Sequence, residues 1–385
     1  MSIIRHIAYE CLPGMFAGGV QKMVYELASA QRRIGANVEI WTVDADRAGS
    51  TAFHAGLPIR YFKPDAAWGY ARSAALVSEM AHLAEDVIIH AHSTFHPLNH
   101  DVAAAARRLG LKVFFHPHGA LDPVLFSGWS VKAFKKRLYL RFIGIPDLNK
   151  AAGIFALTPL EAEQLVTLGV KSQINVIPNG ITFLTDTDPE SAAAFRSAQQ
   201  ISPQDKVILF VGRITAKKRL EDVIAALAML RATSGAAVLA IAGNVAQDPA
   251  YHERLLTTAA ELGCAEDIRW LGFLDERAKP AAFAAADCFV HASESEGMAL
   301  AILEAMSAGL PVVATRGCYM RQAAQAGAIL ECPQGAAALA KAIRTLLEDE
   351  GGATALGKKA HDYVEREHDW SRLAARTLEI YKGKA

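Results

Sequence analysis

The chain has 385 residues, enough for two domains with a core each. Apolar residues make up 52% and charged residues 21%, and 40 basic side chains balance 40 acidic ones, so the formal net charge is zero. That balance provides no general basic field and excludes a nucleic-acid partner held by overall charge.

Five cysteines (Cys11, Cys264, Cys288, Cys318 and Cys332) are scattered without a CxxC spacing. The pattern suits a reducing cytoplasm and argues against a disulfide framework or a structural zinc. No apolar run approaches the ~18 residues of a membrane span. The opening MSIIRHIAYECLPG is too short in its apolar stretch for a secretory signal.

Ile3 to Tyr9 reads as a first strand, followed by a loop through Gly18-Gly19. Helical spacing of Val20, Met23, Val24, Leu27 and Ala28 follows up to Gly35, and Val38 to Val43 is a second strand. This β-loop-α-β start predicts a doubly wound domain. Gly18 and Gly19 permit close approach to a ligand, although the dinucleotide pattern GxGxxG is absent. The DxD triplets at Asp44 to Asp46 and Asp186 to Asp188 fall in polar loops and read as turns rather than metal sites.

Val87 to His92 is the next strand. His90, His92, His96 and His100 mix strand and loop phases, so they are not expected to converge on a metal. Val113 to His116 is a strand that runs into Pro117-His118-Gly119. Ligands of open α/β sheets sit beyond strand carboxyl ends, which makes His118 a candidate site residue. The segment from Trp129 to Phe142 interleaves Lys132, Lys135, Lys136, Arg137 and Arg141 with aromatic and aliphatic residues. On a helix it could either bury an aromatic face or rest on an anionic membrane surface. Pro146 is expected to close it. Ile154 to Thr158 and a helix from Leu160 to Leu168 follow, and Pro178-Asn179-Gly180 is a turn. Thr185 to Gln204 reads as a polar linker with a short helix.

Val207 to Val211 ends in Gly212-Arg213, and Lys217-Lys218-Arg219 lies just beyond. Cations placed there suit a diphosphate, by bidentate Arg and compact Lys charge. Ala237 to Ala242, Ile268 to Leu274 and Asp287 to Ser293 read as further strands, predicting a second doubly wound domain. Then comes ESEGMALAILEAMSAGLPVVAT, which reads as loop, helix, stop and strand. Ser293, Glu294 and Ser295 are cap-type residues, Gly309 fits the position after the helix, and Pro311 cannot continue it. Glu296 at the helix mouth and Glu304 in its second turn are candidate acceptors for sugar hydroxyls, with the positive helix end between them.

That last string resembles the signature of retaining glycosyltransferases of family 4, Glu-Gly-Phe-Gly-x-x-x-x-Glu-Ala-Met/Leu-Ala-x-Gly-x-Pro-Val-Val. Glu296, Gly297, Glu304, Ala305, Met306, Gly309, Pro311, Val312 and Val313 match it, while Met298 and Ala299 depart from its Phe and second Gly. The N-terminal Gly-Gly-Val-x-x-x-Val-x-x-Leu-Ala motif is matched by Gly18, Gly19, Val20, Val24, Leu27 and Ala28. His118-Gly119 is similar to the family's His-Gly. Gly212-Arg213 to Lys218 is similar to its Gly-Arg-Leu-x-x-x-Lys-Gly, with Arg219 in place of the last Gly.

The resemblance implies a GT-B fold, two Rossmann-like domains facing a cleft: residues 1–181 on the acceptor side, 182–368 binding the nucleotide sugar, and a helix in 369–385 crossing back. It implies transfer of a hexose from a UDP- or GDP-sugar to a glycan or polyprenyl-linked glycan hydroxyl, with retention, in lipopolysaccharide or exopolysaccharide assembly. In it Glu304 holds the ribose and Glu296 the donor sugar. Arg213 and Lys218 hold the diphosphate, with Gly18, Gly19, Gly212, Gly297, Met298, Ala299 and Leu300 lining the donor. The Gly272-Phe273-Leu274 backbone abuts the base, and His118 lies near the reacting carbon. No metal or other cofactor is implied, and no covalent nucleophile presents itself. Cytoplasmic location follows, with peripheral membrane contact through Trp129 to Phe142. A GT-B-like epimerase, a phosphorylase and a non-catalytic donor-binding subunit are the alternatives; the first would act without an acceptor and the last would not turn over.

Overall fold

A computed structural model describes residues 2–9, 11, 19–65, 72–126, 130–184, 188–234 and 237–383, with the side chains of residues 132 and 232–234 outside the description. Gly18, Trp129 and Asp186 therefore lie outside the described residues. The chain forms two compact units, Met1–Gly180 with His368–Ala385, and Ile181–Glu367.

The first unit is built on β1 (Ile3–Ile7), β2 (Asn37–Val43), β3 (Thr51–His54), β4 (Leu57–Phe62), β5 (Val87–His92), β6 (Lys112–His116), β7 (Gly153–Ala156) and β8 (Ile174–Val176). They lie in the order β3-β4-β2-β1-β5-β6-β7-β8, all parallel except the β3–β4 hairpin. Helices cover both faces, as a parallel sheet requires. Ile4, Val38, Ile40, Phe114 and Phe155 belong to one layer and Ile7, Trp41, Ile89 and Ile154 to the other. The order reverses at β1, whose register pairs His6 with His90, while β5 pairs His92 with His116.

The β3–β4 edge was not read from the sequence. Pro146 also differs from expectation. The helix Val131–Tyr139, capped by Ser130, runs through a wider turn at Leu140–Gly144 into Ile145–Leu148. Pro146 sits in the first turn of that last segment, where its missing N–H leaves no bond unmade. Tyr139, Leu140 and Gly144 meet tightly in the bend.

Helix Trp370–Tyr381, capped by Asp369, packs against helix Gly19–Arg33 of the same unit. His368 Nδ1 lies 2.6 Å from the Asn179 carbonyl oxygen, and the Trp370 ring fills the space beside Gly180, where a Cβ would come within 2.3 Å of it.

The second unit is an all-parallel sheet of β9 (Lys206–Val211), β10 (Ala237–Ala242), β11 (Ile268–Gly272), β12 (Cys288–His291), β13 (Val312–Thr315) and β14 (Leu330–Cys332), ordered β11-β10-β9-β12-β13-β14. Its inner strands β9, β10, β12 and β13 are mostly apolar because both faces are covered, whereas the edge strands β11 and β14 carry Arg269 and Glu331. The order reverses between β9 and β12. All five cysteines are buried free thiols.

Candidate active site

In the second unit the chemistry gathers where β9 and β12 end, the crevice position of an open α/β sheet. The two loops are stitched together: Glu294 N–H and Ser293 Oγ both donate to the Lys217 carbonyl, at 3.0 and 3.1 Å. Gly317 lets the next loop press in, since a Cβ there would lie 2.3 Å from Ser293 O. Arg219 turns the β9 loop in the left-handed region (φ 53°), a position where the family's glycine is at ease, and its guanidinium is held by Asp222 and Glu294.

This scaffold points the buried Lys218 ammonium at the Glu296 carboxylate, with which it makes a short ion pair. His291 Nε2 lies 3.4 Å from Glu296 Oε1 and 3.5 Å from Lys218 Nζ. Burial alone would raise the Glu296 carboxyl, but Lys218 and His291 outweigh it and hold it well below the usual carboxylate range. Burial, reinforced by Lys218, lowers His291 against the pull of Glu296. The group is thus an ionised Lys–Glu pair beside a neutral imidazole. His291 was not singled out from the sequence; its place at the last residue of β12 was the available signal.

Glu304 is 3% exposed and pairs with Lys279 at 3.2 Å. Its helix starts at Leu300, with Ala299 at the cap position and no side-chain cap, so the expected capping by Ser293, Glu294 or Ser295 is corrected. Ser293 is instead spent on the β9 loop, and Glu296 precedes the helix rather than opening it. The helix ends as read: Leu310 N–H reaches Ala305 O, Gly309 N–H reaches Met306 O, and Gly309 has φ 70°. Met298 is half-buried against the core, Ala299 is buried, and Gly297 and Leu300 are half-buried. Arg213, beyond Gly212, is exposed and makes no ion pair among the described residues. Gly272 takes φ 68°, Phe273 is exposed and Leu274 half-buried.

In the first unit β1, β5 and β6 bring five histidines together. The ring nitrogens of His6, His90 and His92, and those of His92, His116 and His118, lie within 4.8 Å of one another. The expectation that the strand and loop histidines would not meet is corrected for His90 and His92; neighbouring strands supply His6 and His116, which the reading had passed over. His96 and His100 do go elsewhere. His96 stacks on Tyr9, and His100 lies 2.5 Å from Asp147. Loss of solvation lowers every member: His6 to about 4, His118 to about 3, and His90, His92 and His116 well below 6.5.

His118 and Gly119 both have positive φ, 57° and 71°. The turn is held by buried Glu161, which accepts from Gly119 N–H at 2.6 Å and Leu157 N–H at 2.7 Å. Burial still pushes its carboxyl up to about 7. Thr158, expected to end the β7 strand, caps the helix Pro159–Thr167 that carries Glu161. Gly19 starts its helix at an exposed position. Of the DxD residues, Asp44 binds Arg47 within its turn, and Asp188 caps the helix Pro189–Ala198.

Two parallel α/β units, each with polar groups at its sheet's reversal point, define the class of GT-B glycosyltransferases. The model for "Glycosyl transferases group 1" matches residues 191–366, and that for a "Glycosyl transferase 4-like domain" matches residues 18–180. The chain belongs to the group 1 glycosyltransferases. It is similar to glycogen synthase of Mycobacterium tuberculosis, 30% identical over 54% of this chain and 48% of that one. D-inositol 3-phosphate glycosyltransferase of Nocardia farcinica is 30% identical over 61% of this chain and 53% of its own. The match thus spans about half the length of these curated relatives. The fold superposes on HepE of Anabaena, solved in complex with UDP and glucose, with a TM-score of 0.79, 19% identity and full coverage of both chains.

Proposed function

We propose that this protein is a retaining hexosyltransferase. It moves a hexose from a UDP- or GDP-sugar to a hydroxyl of a glycan or polyprenyl-linked glycan, in envelope lipopolysaccharide or exopolysaccharide assembly on the cytoplasmic side of the membrane. The observation that carries the reading is the Lys218–Glu296–His291 group at the β9/β12 reversal. A nucleotide diphosphate needs a cation where its leaving oxygen gains charge, and the sugar needs carboxylate acceptors. The Lys218–Glu296 ion pair supports this reading by offering one of each.

Lys218 and Arg213 take the diphosphate, along the Gly212 and Gly297 backbone. Glu296 accepts from the hexose hydroxyls. Glu304, held by Lys279, accepts from the ribose hydroxyls. The base lies along Gly272, Phe273 and Leu274, and Met298, Ala299 and Leu300 close the pocket. His118 contacts the donor sugar near the reacting carbon, and Gly18 and Gly19 face the phosphates. No metal takes part. HepE, solved with UDP and glucose, supports a UDP-glucose-like donor.

A lipid-linked acceptor is supported by helix Val131–Tyr139 and the turn after it. Val131, Phe134 and Phe142 are 72%, 56% and 67% exposed, beside Lys135 and Arg141. The same segment also turns a face inward, where Tyr139 packs on Phe95 and Leu140 is buried. A basic, apolar face of this kind rests on anionic lipid. Among the described residues no helix is long and apolar enough to cross a membrane.

The test is release of nucleoside diphosphate from UDP-, GDP- and ADP-hexoses, with and without undecaprenyl-linked acceptors, and the anomeric configuration of the product. One donor should release its diphosphate only with an acceptor and give the retained anomer. Release without acceptor dependence, or an inverted product, would reject the proposal.

A further inference from the structure

The histidines of the first unit form a directed chain. It begins in the last helix, where the Thr377 hydroxyl donates to the Ala374 carbonyl at 2.7 Å. Its only proton is thereby used, so Thr377 Oγ1 can only accept. Gln31 lies 2.8 Å from it and must present its amide N–H there. That fixes the amide: Gln31 Oε1 faces His6 Nε2 at 2.8 Å. An amide oxygen has no proton, so His6 carries its proton on Nε2 and a lone pair on Nδ1.

The next steps follow in the same way. His6 Nδ1 lies 2.8 Å from His92 Nε2, and His92 Nδ1 lies 3.0 Å from His118 Nε2. Each imidazole holds one proton, because a neutral ring has one donor and one acceptor. His92 must therefore be protonated on Nε2, and so must His118. Thr377, Gln31, His6 and His92 are all buried, so solvent cannot substitute for a missing donor.

We infer that the Thr377–Gln31–His6–His92 chain sets the tautomer of His118, keeping its Nδ1 as an unprotonated acceptor. His118 Nδ1 makes no hydrogen bond among the described residues. Its ring is clamped by stacking on His116, centroids 3.9 Å apart, and by the Glu161-held turn. The available lone pair accepts a hydrogen bond from a hydroxyl of a bound sugar. Thr377 and Gln31 are thus positioning residues, and the closing helix feeds the sugar-facing histidine through the core.

The use of this lone pair rests on the transfer reading, whereas the tautomer does not. The test is therefore ¹⁵N histidine NMR of the full chain without donor, with His118 assigned by the loss of its signals in His118→Gln. The chain predicts an unprotonated Nδ1 and a protonated Nε2 on His118. Gln31→Leu should convert this into mixed tautomers and lower kcat ~10-fold, with the donor KM little changed. Thr377→Ser should retain both the tautomer and kcat. A protonated Nδ1 on wild-type His118 overturns the inference, as does a Gln31→Leu variant that folds and keeps the wild-type spectrum. Failure of the transfer reading would appear separately, as missing turnover with the tautomer intact. Zinc-dependent shifts of these resonances at stoichiometric metal would also overturn it, by making the rings ligands.

Discussion

The two units solve one geometric problem with opposite electrostatics. Each places its polar groups where sheet order reverses, at β1/β5 in the first and β9/β12 in the second. The first fills that place with neutral, desolvated imidazoles that share protons along a wire. The second fills it with ion pairs, Lys218–Glu296 and Lys279–Glu304. A neutral cluster suits contact with an uncharged sugar hydroxyl; a charged one suits a diphosphate. The fold leaves both options open, and the side chains at a few strand ends choose between them.

Acid should separate the units most strongly. A buried histidine held neutral binds fewer protons than its unfolded form, so its stabilisation is present above pH 6.5 and lost as pH falls. For His6, lowered to about 4, the loss is about 3 kcal/mol across that window. Four more histidines of the first unit share its sign, as does His291 in the second. Glu161, raised to about 7, has the opposite sign: its contribution is present below 4.5 and lost through about 7. It is one group against five. Glu296 is depressed, so its contribution is present above 4.5 and lost only at lower pH. Hydrogen exchange followed from pH 7 to 5 should show the first unit loosening well before the second. Simultaneous loss would break the contrast.

Lys218→Met comes next. It should lower kcat ~100-fold, as removal of a charge-stabilising donor does. It should also cost about 2–3 kcal/mol by stranding Glu296, with allowance for the pair's partial exposure. Lys218→Met/Glu296→Gln should regain most of the melting temperature and none of the turnover. If the double variant were no more stable than the single, the ion pair would not be what holds these loops.

Glu161→Ala leaves two backbone N–H groups without an acceptor and should cost about 2 kcal/mol. It should also steepen the acid loss of the first unit, since it removes the group of opposite sign. An unchanged pH profile would mean that Glu161 does not titrate as described. Smallest of all is chelation. EDTA should change neither melting nor transfer, and a fall in either would show that a metal occupies a site in one of the units.

The charged site was legible because it is nearly contiguous: Glu296, Glu304, Gly309 and Pro311 lie in one string, and Lys218 follows a strand end. The helix start was not, because Ser293 has the composition of a cap but is spent on Lys217. The histidine wire was hidden for a different reason. His6, His92 and His118 meet only through the sheet order β1-β5-β6, and Gln31 meets Thr377 across most of the chain. Local pattern carries neither strand order nor the return of a terminal helix. Glu161 was missed likewise, since its partner Gly119 lies on another loop.

The most direct measurement is calorimetric titration of UDP, GDP and ADP into wild-type protein, Glu304→Ala and Lys218→Met. One nucleotide should bind the wild type, weaken ~10-fold or more with Glu304→Ala if Glu304 holds the ribose as proposed, and weaken again with Lys218→Met. No binding by any nucleotide to folded wild type, or equal binding by all three proteins, would contradict the site at the β9/β12 crevice.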